Sequence, residues 1–176
     1  VFIIRVTVTD NNKFHKYHRV HNNIFDKFLQ LCYYSIMRIL IDADGCPVTM
    51  EAVKIGNEYG IESIIFCDTS HEFNINNVRV ITVGKGADSA DFALVNKVKT
   101  GDIVISQDYG LSAMALAKGA IIINQNGLII NDFNIDTLLT SRHLAKKARR
   151  AGKHLKGPSK RTAKQDEKFE KTLRGI

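Results

Sequence analysis

Cysteine is scarce in this chain, long apolar runs are missing, and no segment repeats. Each absence removes a class of protein. The three cysteines, Cys32, Cys46 and Cys67, form an odd set without CxxC spacing, which argues against a disulfide framework or a cysteine zinc site and fits a reducing cytoplasm. No run approaches the roughly 20 apolar residues that a membrane span needs. The opening VFIIRVTVTDNNKFHKYHR lacks the basic, then apolar, then small order of a secretory signal. A soluble, cytoplasmic protein is therefore expected. With 44% hydrophobic residues among 176, the chain has the material for one domain with a core and is short for two.

What is present is charge of both signs, kept apart. Residues 1–36 hold five Lys/Arg against two acids, residues 37–141 hold seven against thirteen, and residues 142–176 hold thirteen against three. The net charges are thus +3, −6 and +10, which sum to the formal +7 of the chain. A basic segment beside an acidic body suits a phosphodiester backbone, because Lys and Arg release its counterions while a bound cation screens the carboxylates. A solvated helical face is the plainer account of the same charges.

Residues 1–36 are rich in Asn, His and aromatic side chains, and only residues 2–8 alternate as a strand would. The strand-like run begins at once after Met37, so the expectation is an extension over 1–36 with translation naturally starting at Met37. His15, His18 and His21 have metal-like spacing but fall in that extension. Beyond it, short β-branched runs alternate with helical patterns, the signature of a parallel sheet with crossover helices. Strands are expected at 38–42, 62–66, 78–83, 102–106 and 120–124, with an edge strand at 128–130. Pro47 suits a helix's first turn, and Gly60 should end that helix after Tyr59. Further helices are expected over 88–98 and 111–118, from Ile135 with Asn134 as cap, around 142–151, and from Thr162. Thr162 and Gln165 have capping-box spacing, and Phe169 with Leu173 gives a thin apolar stripe that can dock on the domain. The organisation read here is an extension over 1–36, an α/β domain over 37–141 and a basic helical segment over 142–176.

Three strand ends carry oxygen ligands. In Ile39-Leu40-Ile41-Asp42-Ala43-Asp44-Gly45-Cys46-Pro47 a buried strand ends in two carboxylates two residues apart, which face one side if the strand geometry persists. Ligands of parallel sheets bind outside such carboxyl ends. The alternatives are that Asp44 caps the helix and Asp42 binds loop amides. In Gly86-Ala87-Asp88-Ser89-Ala90-Asp91, Asp88 and Asp91 share a face of a helix's first turn, where Asp is also favoured by capping and the dipole. The third strand ends Ser106-Gln107-Asp108. Asp102 precedes that strand in a turn and should lie at the opposite edge of the sheet. Mg²⁺ and Mn²⁺ prefer such carboxylate oxygens. Gly84-Lys85-Gly86 lacks the ending of a P-loop. Cys46, near a helix N-terminus, has either a lowered pKa or a packing role.

Taken together, DADGCPV at 42–48, GADSAD at 86–91, GDIVISQDYGLSAMALAKGA at 101–120 and RHLAKKARRAGKHLKGPSKRT from Arg142 resemble the uncharacterised bacterial YaiI/YqxD-type family, whose domain is similar to the PIN-like nucleases. The resemblance runs from Met37 to near Ile176. It implies an α/β three-layer sandwich with a central, mainly parallel, PIN-like sheet. It also implies an acidic site of Asp42, Asp44, Asp88, Asp91 and Asp108, with Ser106 where many relatives carry Thr.

The leading expectation is a Mg²⁺- or Mn²⁺-dependent nuclease acting on RNA or another phosphodiester. Asp42, Asp91 and Asp108 hold the metal, and Asp44 or Asp88 assists through water. Lys146, Lys147, Arg149, Arg150, Lys153, Lys156, Lys160 and Arg161 hold the nucleic-acid backbone. A haloacid-dehalogenase-like phosphatase is the enzyme alternative, since that superfamily also begins with a strand ending DxDG and uses the first Asp as nucleophile. Two features oppose it: a helix starts directly after the motif, and Gly101-Asp102 precedes a strand rather than following one. A non-catalytic nucleic-acid-binding module is the third reading.

Overall fold

A computed structural model describes residues 37–70, 73, 75, 78–84, 89–152, 157 and 160–176. The extension over 1–36, Asp88, Lys153 and Lys156 lie outside the described residues. The element order is β1 (Arg38–Asp42), α1 (Thr49–Tyr59), β2 (Glu62–Asp68), β3 (Arg79–Val83), α2 (Ser89–Lys97), β4 (Ile103–Ile105), α3 (Tyr109–Ala117), β5 (Ile121–Ile123), β6 (Ile129–Ile130), α4 (Ile135–Arg150) and α5 (Ala163–Leu173). The strands form one sheet in the order β3-β2-β1-β4-β5-β6. Every pairing is parallel except β5 with β6.

The alternation along each strand assigns side chains to two cores. Ile39, Ile41 and Ile65 point to one face, where they meet Ala52, Val53 and Ile55 of α1 and Phe169 and Leu173 of α5. Leu40, Ile64, Phe66 and Val104 point to the other, against Leu94 and Val95 of α2, Leu111 and Ala115 of α3, and Ile135 of α4. Helices cover both faces, giving three layers, and the central strands are apolar between their ends, over 39–41, 64–67 and 103–105, because neither face meets water there. Among the described residues no helix is long and apolar enough to cross a membrane.

Several expected boundaries shift for local reasons. Strand β2 continues two residues past Phe66, since Cys67 and Asp68 still pair with Thr82 and Val83 of β3. Helix α1 begins at Thr49 rather than at Pro47, with Val48 O accepting from Ala52 N at 2.9 Å. Gly60, in the left-handed region at φ 68°, ends it as expected. Asn134 precedes α4, but its side chain caps nothing. Its Oδ1 accepts from Asn131 N and its Nδ2 donates to Ile129 O, both at 3.0 Å, so it ties down the preceding turn instead. The helix from Ile135 and the basic helix around 142–151 are one helix of 16 residues.

Helix α5 is docked, not trailing. Its capping box of Thr162 and Gln165 is formed, and Phe169 is fully buried. The turn at Gly127 comes so close to it that a Cβ there would meet Lys168 O at 2.8 Å, and its φ of 71° also favours glycine. Asp102 lies at the amino-terminal edge of the sheet, buried, accepting from Arg38 Nε at 3.1 Å and from Lys99 N at 2.8 Å.

Candidate functional site

The register of the sheet builds the site. Ile41 of β1 pairs with Ile105 of β4, so the next residues, Asp42 and Ser106, stand side by side at the carboxyl ends. Ser106 Oγ donates to Asp42 Oδ2 at 2.7 Å and accepts from Asp108 N at 2.9 Å. On the other side, Asp42 pairs with Phe66 of β2, which brings Asp44 level with Asp68. Asp68 N donates to Asp44 Oδ1 at 3.1 Å. Asp68 in turn accepts from Ser70 N at 2.7 Å. Asp91, in the first turn of α2, completes the wall. Asp42, Asp44, Asp68, Asp91, Gln107, Asp108 and Arg142 thus line one cleft of about 520 Å³. This is the crevice where strand order reverses about β1 and β4, the usual ligand position in open α/β sheets.

The carboxylates are not equivalent. Asp42 is only 8% exposed. Burial pushes its pKa up, the Ser106 hydrogen bond opposes this, and the charges of Asp44 and Asp108 add to the rise. Asp108 is the N-cap of α3, accepting from Gly110 N at 2.6 Å and Leu111 N at 3.2 Å. Arg142 of α4 reaches it with both terminal nitrogens, Nη1 to Oδ1 at 2.8 Å and Nη2 to Oδ2 at 2.7 Å. That guanidinium, ahead of partial burial and the two amides, holds the Asp108 pKa below the usual carboxylate range. Among the described residues, no three His, Cys, Asp or Glu side chains come together closely enough to form a metal-binding group. Burial raises the Cys46 thiol pKa rather than lowering it, which fits a packing role.

A family model described as "Uncharacterized BCR, YaiI/YqxD family" matches residues 40–176. The chain belongs to the YaiI/YqxD family. A UPF0178 protein of Ruminiclostridium cellulolyticum is 53% identical over 137 residues, covering 78% of this chain and 90% of that protein. A UPF0178 protein of Clostridium acetobutylicum is 47% identical over 142 residues, covering 80% and 96%. A third, from Exiguobacterium sibiricum, is 48% identical over 137 residues, covering 78% and 94%. No solved structure matches the chain. The YaiI/YqxD match takes in both the cleft and the two C-terminal helices.

In this YaiI/YqxD protein the structure adds residues that motif reading passed over. Asp68 stands at a fourth strand end and was legible in FCDTS had β2 been extended by two residues. Gln107 donates through Nε2 to Gly45 O, tying the β4 end to the β1 loop, a contact with no signal in spacing. Arg142 is 34 positions from Asp108, and nothing local announces the pair. Of the basic residues, Lys146, Lys147, Arg149 and Arg150 are exposed on the second half of α4, and Lys160 is exposed before α5. Arg161 is half-buried, bound to Asp166, to Asn126 Oδ1 at 3.3 Å and to Gln125 O at 2.7 Å. A second groove, of about 830 Å³, runs along α4 between Leu139 and Arg149, and Arg142 lines both cavities.

Proposed function

We propose that this protein is a divalent-cation-dependent nuclease, with RNA as the leading substrate and Mg²⁺ or Mn²⁺ as the cation. The observation that carries the reading is the convergence of five carboxylates, from three strand ends and one helix start, on a single cleft. Their chemistry fits a hard cation. Asp42 is buried among like charges and carries a raised pKa, a cost that a bound cation relieves. Mg²⁺ keeps several waters and takes one or two carboxylates directly, so the donor set does not require three side chains in mutual contact. Asp42 with one of its cleft neighbours Asp44, Asp91 or Asp108 would hold it directly, and the remaining carboxylates would act through its waters. When bound, the cation would supply a nucleophilic water at neutral pH and neutralise phosphate charge.

The chain's own contribution is orientation. Ser106 fixes Asp42 and the start of the Asp108 loop through two hydrogen bonds. Arg142 presents a planar guanidinium at the cleft rim, suited to bidentate contact with a phosphate. The likeness to PIN-like nucleases is part of this proposal. The test is cleavage of end-labelled RNA with Mn²⁺ by the wild type and by Asp42→Asn, after matched purification. Cleavage that Asp42→Asn abolishes is expected; equal residual cleavage in both rejects it.

One observation favours the non-catalytic alternative: Asp108 serves as a helix cap and ion pair, which is a structural role. RNA binding that survives loss of both Asp42 and Asp108, without any cleavage, would establish that reading.

A further inference from the structure

Helix α4 carries five Lys/Arg against the single acid Asp136, yet these cations are not spread at random. Arg142, Lys146 and Arg149 all line the groove beside the helix, together with His143, Thr140 and Leu139. At i, i+4 and i+7 they form one stripe, the second and third about 6 and about 10 Å along the axis from the first. Lys147 and Arg150 do not line the groove. The helix dipole explains cations in a last turn, here Lys147, Arg149 and Arg150. It does not explain Arg142 or Lys146, which lie farther back.

The stripe ends in the acidic cleft, because Arg142 belongs to both cavities. Its pair with Asp108 is half open to water, at 50% and 30% side-chain exposure, and pairs so exposed are weak. An anion with repeated charge arriving along the stripe can therefore take Arg142 from Asp108. Asp42 lies recessed in the cleft at 8% exposure, a placement that favours a flexible single strand over a rigid duplex.

We propose that the α4 groove is the binding track of a single phosphodiester strand, and that Arg142 transfers from Asp108 to one of its phosphates on binding. The proposal rests on the nuclease reading for its orientation, since the track leads a phosphate to Asp42. Binding in the absence of divalent cation tests it separately.

The experiment titrates KCl against fluorescence anisotropy of labelled twelve-nucleotide oligo(U) and oligo(dT) with the full chain in EDTA. For three cations on a single strand, the slope of log K against log [KCl] should be about −2. Lys146→Ala and Arg149→Ala should each make it shallower by about 0.7, while Lys147→Ala should leave it unchanged. Both lysines and Arg149 are exposed, so these variants keep the fold, which a melting curve verifies. Equal binding of the two oligomers assigns recognition to the phosphodiester; preference for one names the nucleic acid. A slope indifferent to Lys146 and Arg149, or tighter binding of a duplex of the same length, overturns the track. For the transfer, Arg142→Ala should also make the slope shallower by about 0.7, because a guanidinium displaces counterions from the strand only if it leaves Asp108 for a phosphate. An unchanged slope in Arg142→Ala overturns it. Cleavage with unaffected slopes removes the track and leaves the nuclease; the expected slopes without cleavage do the reverse.

Discussion

Replacing Phe169 by alanine tests whether the basic C-terminal segment is part of the fold. The ring is fully buried and belongs to the same cluster as Ala52, Val53 and Ile55 of α1 and Ile123 of β5. Truncating a buried Phe costs about 3–5 kcal/mol, from lost transfer energy and the cavity left behind. A domain of this size loses about 2–4 °C of melting temperature per kcal/mol. The expected drop is therefore on the order of 10 °C. Because Arg161 binds the Gln125-Asn126 turn just ahead of α5, the loss should appear in one cooperative transition, with no early melting of a separate helix. Circular dichroism melts at fixed pH and protein concentration provide the assay. A drop of under about 3 °C, or a second transition confined to helix signal, would refute the docking inferred here.

Three further outcomes follow from the electrostatics. Arg142→Ala should cost at most about 1 kcal/mol at neutral pH, since its pair with Asp108 is half exposed. The Asp108 pKa is depressed in the folded state, so that contribution is present above the unfolded value of about 3.9 and is lost as pH falls through the folded one. Melts of the variant and the wild type should converge in that acidic window. Asp42 has the opposite sign: its raised folded pKa makes the charged form a cost once pH exceeds that value, so Asp42→Asn in EDTA at neutral pH should melt no lower than the wild type. Mn²⁺ at a hundred times its dissociation constant should stabilise the wild type by about 2.7 kcal/mol and the variant by far less; equal shifts would remove Asp42 as a ligand. Asp102→Ala strands Arg38, whose side chain is 17% exposed, and should cost about 3 kcal/mol. Since that pair sits at the sheet edge away from the cleft, oligonucleotide binding measured below the melting range should be unchanged.

The central strands were legible because a strand buried on both faces reads as a short apolar run, and the expected bounds of 38–42 match the strand at both ends. The sequence motifs also marked Asp42, Asp44, Asp91 and Asp108, since each stands where a strand stops or a helix starts. What spacing could not reveal was adjacency. Ser106 serves Asp42 because β1 pairs with β4, a pairing that depends on strand order, not on the 64 positions between them. Asp68 was missed because the expected strand stopped at Phe66, while the ladder to β3 carries it on through Cys67 and Asp68. Arg142 was read as the start of a separate helix, whereas its place is set by Ile135, seven residues earlier, which is buried against the sheet.

That uninterrupted helix behaves as a rigid boom. Its first turn is clamped in apolar packing, and Arg142 rides about 10 Å down the shaft. Any small tilt at the clamp, from a substitution at Ile135 or Leu138, swings the guanidinium relative to the acidic floor. Residues packed against the sheet, away from the cleft, thereby set the gap that an incoming anion must fit.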